Sequence, residues 1–214
     1  TLVAGVYTLS ATNLAGLGYN VGINTGTLTV DKATLTVTAN NDAKFVAQAD
    51  PSNFAGVSYA GFVNGEVAGT ADGFVAPTVT RTSSGPDTDP TGSNTQAGIY
   101  TGQLEASGGS ADNYTLQYVD GDYTIVASNE LLVRVTDVTN AYGTNTQYAI
   151  ASVEYENGGT VYRLDDGSVA SSSVSINSSN LVSINDGASG TASFTLAPLS
   201  AQTSTAGKLV VGSY

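Results

Sequence analysis

Polar and apolar residues alternate along most of this 214-residue chain. In residues 33–39, every second position is apolar, and threonines occupy the positions between them. The apolar residues are Ala33, Leu35, Val37 and Ala39. This period of two predicts an antiparallel strand with one buried face and one face in water. Helical periodicity is almost absent, and the Gly, Asn, Ser and Thr residues spread along the chain are poor in helix interiors. We therefore predict an all-β fold, with at most a turn or two of helix after Asp50-Pro51.

Two hairpins are predicted where alternating segments flank a short turn sequence. Residues 113–119 and 122–126 flank Asp120-Gly121, which is a typical hairpin turn. Residues 17–23 and 27–30 flank a similar turn that ends at Gly26.

The remaining alternation predicts further strands and one long loop. The polar segment 82–96 is predicted as a surface insertion between two strands, because its Gly, Pro, Asp and Ser residues favour loops. The further predicted strands are residues 6–12, 74–81, 99–106, 131–138, 148–155, 160–164, 174–176, 192–196 and 208–211.

The chain repeats itself at an offset of about 95 residues, which is the size of one small domain. A period of this length suits tandem β domains better than the coils of a solenoid. The repeated segments are 4–8 with 97–101, 19–30 with 114–125, and 35–39 with 131–135.

The repeat divides the chain into three parts. We expect residues 1–31 to be the C-terminal part of a preceding repeat, or permuted strands of the first domain. Residues 32–127 form a complete β domain, and 128–214 form a second, divergent β domain. The junctions after residues 30 and 126 are short and lack a Gly/Ser tether, so we expect small antiparallel sheets or sandwiches arranged in line.

Composition narrows the possible chemistry. The chain contains no Cys, Met, Trp or His, and its 18 Asp+Glu against 6 Lys+Arg give a net charge of −12. Without Cys and His there is no ordinary zinc, copper or haem site, no Cys nucleophile and no Ser-His-Asp triad. The negative charge argues against binding to nucleic acid or to an anionic membrane surface. We therefore expect no enzyme and no cofactor.

The composition also suggests where the protein acts. An acidic, Thr-rich chain without Cys or Met is typical of large secreted bacterial surface proteins, so an extracellular location is expected. No apolar run approaches the roughly 18 residues of a membrane helix, and no basic start precedes an apolar signal region. We expect this chain to be a piece of a longer protein. We also expect it to be monomeric and not to insert directly into a membrane.

Two acidic segments are candidate metal ligands. Asp87 and Asp89 lie at alternate positions before Gly92, as at the start of a calcium loop, but the twelfth position of such a loop falls on Gly98 and not on Glu. A polar loop tip is the simpler interpretation, and calcium binding stays open. The second segment, Asp165-Asp166-Gly167, has the sequence of a β-turn, and such a turn explains it without a metal ion.

Carboxylates and lysines offer other chemistry. Glu154 and Glu156 share one face of a predicted strand, and a solvated face is the simplest interpretation. Glu105 and Glu130 sit near strand ends and have no obvious partner in the pattern. An isopeptide crosslink needs a buried lysine, a buried amide and a carboxylate together; no strand pattern supplies all three for Lys32, Lys44 or Lys208.

Seven of the twelve tyrosines fall into two groups. Five recur with the repeat on alternating apolar faces, which favours a shared core role. Tyr155 and Tyr162 lie in the divergent third part and are better candidates for an exposed patch that stacks on a sugar. The five recurring residues are Tyr7, Tyr19, Tyr100, Tyr114 and Tyr123.

Several short motifs follow one another in a fixed order along the chain. They are Leu35-Thr36-Val37-Thr38, Lys44 with Asp50-Pro51, Val63-Asn64-Gly65-Glu66, Gly98-Ile99-Tyr100, Asn113-Tyr114, and Gly121-Asp122-Tyr123-Thr124-Ile125. In order and spacing they resemble the MBG (mostly β-grasp) repeats of large bacterial adhesins and two-partner-secreted exoproteins. The chain departs from that pattern at Val46-Ala47, where the family has Tyr-Gly; Tyr142-Gly143 keeps this pair. From about residue 151 to 205 the resemblance is weak, and an immunoglobulin-like domain is an alternative there.

The resemblance implies a β-rich repeat domain in the stalk of a secreted adhesin and carries over no catalytic residue. We therefore expect a structural spacer that takes part in cell–cell or surface adhesion and biofilm formation. The alternative is a carbohydrate- or surface-binding module within such an adhesin. Expected partners are an exopolysaccharide or neighbouring repeats of the same protein.

Overall fold

The computed structural model describes residues 2–11, 18, 22–82, 96–199 and 201–210. Within these ranges the chain forms strands and turns and no helix, which confirms the all-β prediction. The strands are β1 (Gly5–Leu9), β2 (Gly26–Val30), β3 (Ala33–Ala39), β4 (Asp42–Phe45), β5 (Val57–Ala60), β6 (Thr78–Arg81), β7 (Gly98–Ser107), β8 (Tyr114–Val119), β9 (Gly121–Val126), β10 (Leu131–Thr136), β11 (Ala149–Asn157), β12 (Thr160–Arg163), β13 (Ser172–Ile176), β14 (Leu181–Asp186) and β15 (Thr191–Thr195).

The described strands form several small sheets. Strands β1 and β2 pair antiparallel, and β3 lies between an antiparallel β5 and a parallel β8. A four-stranded sheet has the order β4-β9-β7-β6. The C-terminal part contains two antiparallel sheets, β10-β11-β12 and β13-β14-β15.

Packing divides the chain into two compact units. Unit 1 comprises the described residues within 1–42, 51–88 and 99–124. Unit 2 comprises those within 43–50, 89–98 and 125–214. The segment Ala43–Asp50 therefore packs with the C-terminal part of the chain, although it follows β3 in sequence.

The core of unit 1 is rich in aromatic side chains. Leu35 and Tyr114 are buried with Ala71 and Ala111, and Tyr59, Phe62, Phe74 and Leu116 pack against them. The alternation of β3 causes this burial, since Leu35, Val37 and Ala39 point inward while the threonines between them face outward. The Phe62 and Tyr114 rings meet edge to face at a centroid distance of 5.5 Å, a favourable geometry for aromatic pairs.

The core of unit 2 joins its two three-stranded sheets. Val153 of β11 and Leu164, which directly follows β12, are buried with Val182 and Ile184 of β14. A second cluster contains Phe45, Val126 and Leu132, with Ala43 packed against them. Ala43 and Phe45 share one face of β4, so this face attaches the segment to the start of β10.

The predicted hairpin around Asp120-Gly121 is wrong. β8 pairs with β3 in parallel, with Ala33 opposite Tyr114, whereas β9 belongs to the four-stranded sheet. Gly121 instead lets the chain pass very close to another strand, because a Cβ at this position would lie 2.4 Å from the carbonyl oxygen of Ala39. The sequence Asp-Gly thus marks a crossing between two sheets.

The other predicted hairpin falls partly on residues 17 and 19–21, which lie outside the described residues. β2 pairs with β1, with Tyr7 opposite Leu28, so the strand at residues 27–30 has a different partner from the one expected. This correction follows from the same cause as the first, because a turn sequence constrains the local chain and not the partner of a strand.

Other differences are local. Residues 52–55 form turns and no helix, because Asn53 and Phe54 have φ values of 59° and 45°, which a right-handed helix excludes. The strand predicted at 208–211 reduces, among described residues, to a bridge between Thr203 and Leu209, since the turn at 204–207 folds this segment on itself. Strands β4, β5 and β14 were not predicted from the sequence.

The close approach at Gly121 gives a test of the sheet crossing. We expect Gly121→Ala to lower the free energy of unfolding by about 2 kcal/mol, because the new Cβ overlaps the Ala39 carbonyl. Gly69→Ala is the matched control, since a Cβ at Gly69 has no neighbour within 4 Å. Urea denaturation measures both variants; equal stabilities would contradict this role of Gly121.

Candidate functional site

The Lys44 and Asp50 motif positions form a buried ion pair. The Lys44 Nζ lies 2.8 Å from an Asp50 carboxylate oxygen, and the side chains are 4% and 9% exposed. β4 presents Phe45 to the apolar cluster on one face and Lys44 on the other, so the strand positions the ammonium group. The pair closes the turn at residues 46–49, because it joins the strand before that turn to the residue after it.

Two further contacts hold the same segment within unit 2. The Arg134 guanidinium on β10 donates a hydrogen bond of 2.5 Å to the backbone carbonyl of Ala43. The Gln48 amide donates to the carbonyl of Gly159, in the turn between β11 and β12, at 3.1 Å. The segment Ala43–Asp50 is therefore bound at both ends to the sheet β10-β11-β12; we call this arrangement the strap.

A second pair of motifs meets in unit 1. The Tyr114 hydroxyl donates a hydrogen bond of 2.5 Å to a carboxylate oxygen of Glu66 and accepts one of 3.1 Å from the backbone N–H of Val63. The hydrogen bond to Glu66 raises the pKa of Tyr114. Asn64 and Gly65 both have positive φ, 57° and 76°, which the Asn-Gly sequence of this turn accommodates. Tyr114 thus fixes the central turn to the core.

The paired glutamates of β11 have a structural role. They share a face, as predicted, but Glu156 is buried rather than solvated, and its carboxylate accepts a hydrogen bond from the backbone N–H of Gly159. The expectation of a solvated strand face is therefore wrong for Glu156. The hydrogen bond orders the turn to which the strap is attached.

The turn at Asp165-Asp166-Gly167 is held by its own hydrogen bonds. Asp165 accepts one from the backbone N–H of Val153 at 2.8 Å and forms an ion pair with Arg163 at 2.7 Å. The hydrogen bond from Arg163 is the main reason why the pKa of Asp165 is lowered. The hydrogen bonds from Ser168 lower the pKa of Asp166. These carboxylates are occupied in shaping a β-turn.

The recurring tyrosines differ in burial. Tyr114 and Tyr123 are buried in the core, at 3% and 0% exposure. Tyr7 and Tyr100 are half-buried, so the shared core role predicted for all five holds fully for only two of the described ones. Tyr19 lies outside the described residues.

Tyr155 and Tyr162 form a stacked pair. Their ring centroids are 5.2 Å apart and the planes are inclined by 18°. Tyr155 packs against the core of unit 2, whereas Tyr162 on the edge strand β12 is 38% exposed. One ring of the predicted patch is therefore partly open to solvent.

The remaining candidates can be placed briefly. The Lys208 Nζ donates to the Asn145 side-chain oxygen at 3.0 Å in an exposed contact, and Lys32 is exposed. Asp87 and Asp89 lie outside the described residues. Within the described part, no group of three Asp or Glu residues is arranged to hold a metal ion, and no helix is long and apolar enough to cross a membrane.

Sequence reasoning missed the two pairings that matter most. It found Lys44, Asp50, Glu66 and Tyr114 as motif positions but assigned none of them a partner. The available signal was their charge and polarity within an otherwise apolar, alternating pattern, since such groups are buried only when they are paired.

The strap gives a prediction about stability. We expect Lys44→Met to lower the free energy of unfolding by about 3 kcal/mol, because it removes the positive charge that lies 2.8 Å from the buried Asp50 carboxylate. Adding Asp50→Leu should restore part of this loss, since the double variant removes both charges of the pair.

Lys32→Met is the control for these variants, as Lys32 is exposed and we expect less than about 0.5 kcal/mol of change. Chemical denaturation of the native chain, of Lys44→Met, of Asp50→Leu and of the double variant completes a double-mutant cycle. Strictly additive effects would show that the two side chains do not interact.

Comparison with known families agrees with this arrangement of motifs. Residues 35–124 match the family model described as the MBG domain (YGX type). Comparisons with curated proteins and with solved structures gave no match. MBG domains are structural modules found in large adhesin-like proteins and are not an enzyme family. The matched segment contains both motif pairs, Lys44–Asp50 and Glu66–Tyr114. Residues 35–124 are therefore an MBG domain of the YGX type, as the sequence motifs predicted.

Proposed function

We propose that this chain is a spacer segment in the stalk of a large extracellular bacterial adhesin that takes part in cell–cell or surface adhesion and biofilm formation. The observation that carries the proposal is the shortness of the junctions between repeats. Only residues 31 and 32 separate β2 from β3, and only residues 127–130 separate β9 from β10. Junctions of this length restrict the angles between neighbouring repeats, which a spacer requires.

The motif pairs support the same proposal. In an enzyme or a receptor, charged and polar motif residues would converge on a cleft that a ligand could enter. Here the Lys44–Asp50 and Tyr114–Glu66 pairs hold a strap and a turn in place. The stability of the fold is sufficient to explain why these paired residues are present. A net charge of −12 discourages lateral association of neighbouring molecules, which keeps a stalk soluble.

The test is to lengthen the junctions. We expect replacement of Asp31-Lys32 and of residues 127–130 by long Gly-Ser linkers to shorten the average end-to-end distance and broaden its distribution in small-angle X-ray scattering. The same length of linker inserted between Gly92 and Ser93, in the polar segment 82–96, is the control and should preserve the native profile. If the junction variant scattered like the native chain, the spacer proposal would be wrong.

A second candidate function is favoured by the Tyr155–Tyr162 pair. Tyr162 lies on an edge strand and is partly exposed, so its ring could pack against the apolar face of a sugar, while its rotation is limited by stacking on Tyr155. This is the arrangement that a carbohydrate-binding module within an adhesin would use.

A glycan array with the full chain examines this candidate. Specific binding that Tyr162→Ala abolishes and Tyr142→Ala preserves would support it; Tyr142 is the control because it is 60% exposed. Binding that both variants retain would place any sugar site elsewhere, and the absence of binding would leave the spacer as the function.

A further inference from the structure

The two-stranded sheet β1–β2 has an apolar face that the described residues of its unit leave partly uncovered. In its register Tyr7 lies opposite Leu28 and Gly5 opposite Val30, so Tyr7, Leu9, Leu28 and Val30 share one face. Leu9 is 50% exposed and the other three are only half-buried. An isolated pair of strands is marginally stable in water.

The internal repeat provides a complete version of the same strand pair. β1 corresponds to the start of β7, and β2 corresponds to β9; the latter two are neighbours in the four-stranded sheet. Leu28 corresponds to Tyr123 and Val30 to Ile125, which are 0% and 1% exposed. On this face β2 is therefore half-open where β9 is fully buried, whereas Tyr7 and its counterpart Tyr100 are half-buried in both copies.

The difference lies in the second strand of each pair. Val6 of β1 and its counterpart Ile99 have nearly equal exposures of 73% and 72%. The residues of β2 are all exposed or half-buried, whereas those of β9 are all buried or half-buried. Something that covers β9 is therefore missing over β2.

The missing cover can be identified residue by residue. The ring of Tyr123 is covered by Phe54, whose centroid is 5.3 Å away, and by the guanidinium of Arg81, 5.5 Å from the ring centre. At the edges, β6 pairs with β7, and β4 lies beside β9. All four covering elements belong to residues 32–96, and β1–β2 has no counterpart of that block among the described residues.

We propose that β1–β2 is the closing strand pair of a further MBG-type repeat, and that its occupant is a strand block equivalent to residues 32–96, carried ahead of Ala4 in the same polypeptide. The block would extend the sheet at both edges, as β4 and β6 do, and would place an aromatic side chain and a basic side chain over Leu28. Neither a sugar nor a single peptide strand satisfies both open edges and the apolar face together.

The test is a chimera that supplies the block. Residues 32–96 are duplicated and joined directly to Ala4 of the full chain, because Ala97, which follows this block naturally, corresponds to Ala4 in the repeat. Hydrogen–deuterium exchange is followed at the amides of Val6–Leu9 and Thr27–Val30. We expect exchange there to slow by about 100-fold or more, while the amides of β10–β12 stay unchanged.

A control chimera carries Leu35→Asp in the duplicated block only, where the native Leu35 is fully buried. It should leave β1–β2 exchanging as fast as in the unfused chain, which separates a folded cover from the mere addition of residues.

Three results would overturn the proposal. They are unchanged exchange at β1–β2 in the chimera, equal protection in both chimeras, and protection that appears only in a dimer or larger species by light scattering. The last result would make a second copy the occupant. A duplicated block that stays unprotected would also count against the proposal, since the closing strands would then have failed to complete it.

Discussion

The buried pair between Lys44 and Asp50 is the interaction on which the arrangement of unit 2 depends. Two opposite charges at 2.8 Å, each almost excluded from water, offset the cost of each other's burial. By closing the turn at residues 46–49, the pair fixes the carbonyl of Ala43 against Arg134 and the amide of Gln48 against the turn of Gly159. The pair acts together with the apolar contact of Phe45 and these two hydrogen bonds in holding the strap.

The same principle explains why the polar motifs of this MBG domain belong to its architecture. Tyr114 and Glu66 come from distant parts of the chain and meet to hold the central turn, just as Lys44 and Asp50 hold the strap. Each pair satisfies groups that would otherwise be costly to bury. A repeat of this size has a modest apolar core, so specific polar contacts contribute substantially to the choice of one fold.

Strand content and the repeat could be predicted from the sequence because both depend on local patterns. The alternation in β3, β7, β10 and β11 was visible directly, and the motifs identified the MBG domain. Pairing partners could not be predicted, because the turn sequence Asp120-Gly121 fits a hairpin as well as it fits a crossing between sheets. The decisive fact, the approach of Gly121 to the carbonyl of Ala39, joins residues that are distant in sequence. The burial of Glu156 depends in the same way on the Gly159 amide, which the alternation of β11 does not show.

The strap can be tested most directly by native-state hydrogen exchange on the full chain with and without Lys44→Met. If the strap and the sheet β10-β11-β12 form one cooperative element, the amides of residues 43–50 and those of β11 should lose protection together in the variant, while those of β3 keep theirs. Loss of protection at 43–50 together with β3, and no change at β11, would contradict the account.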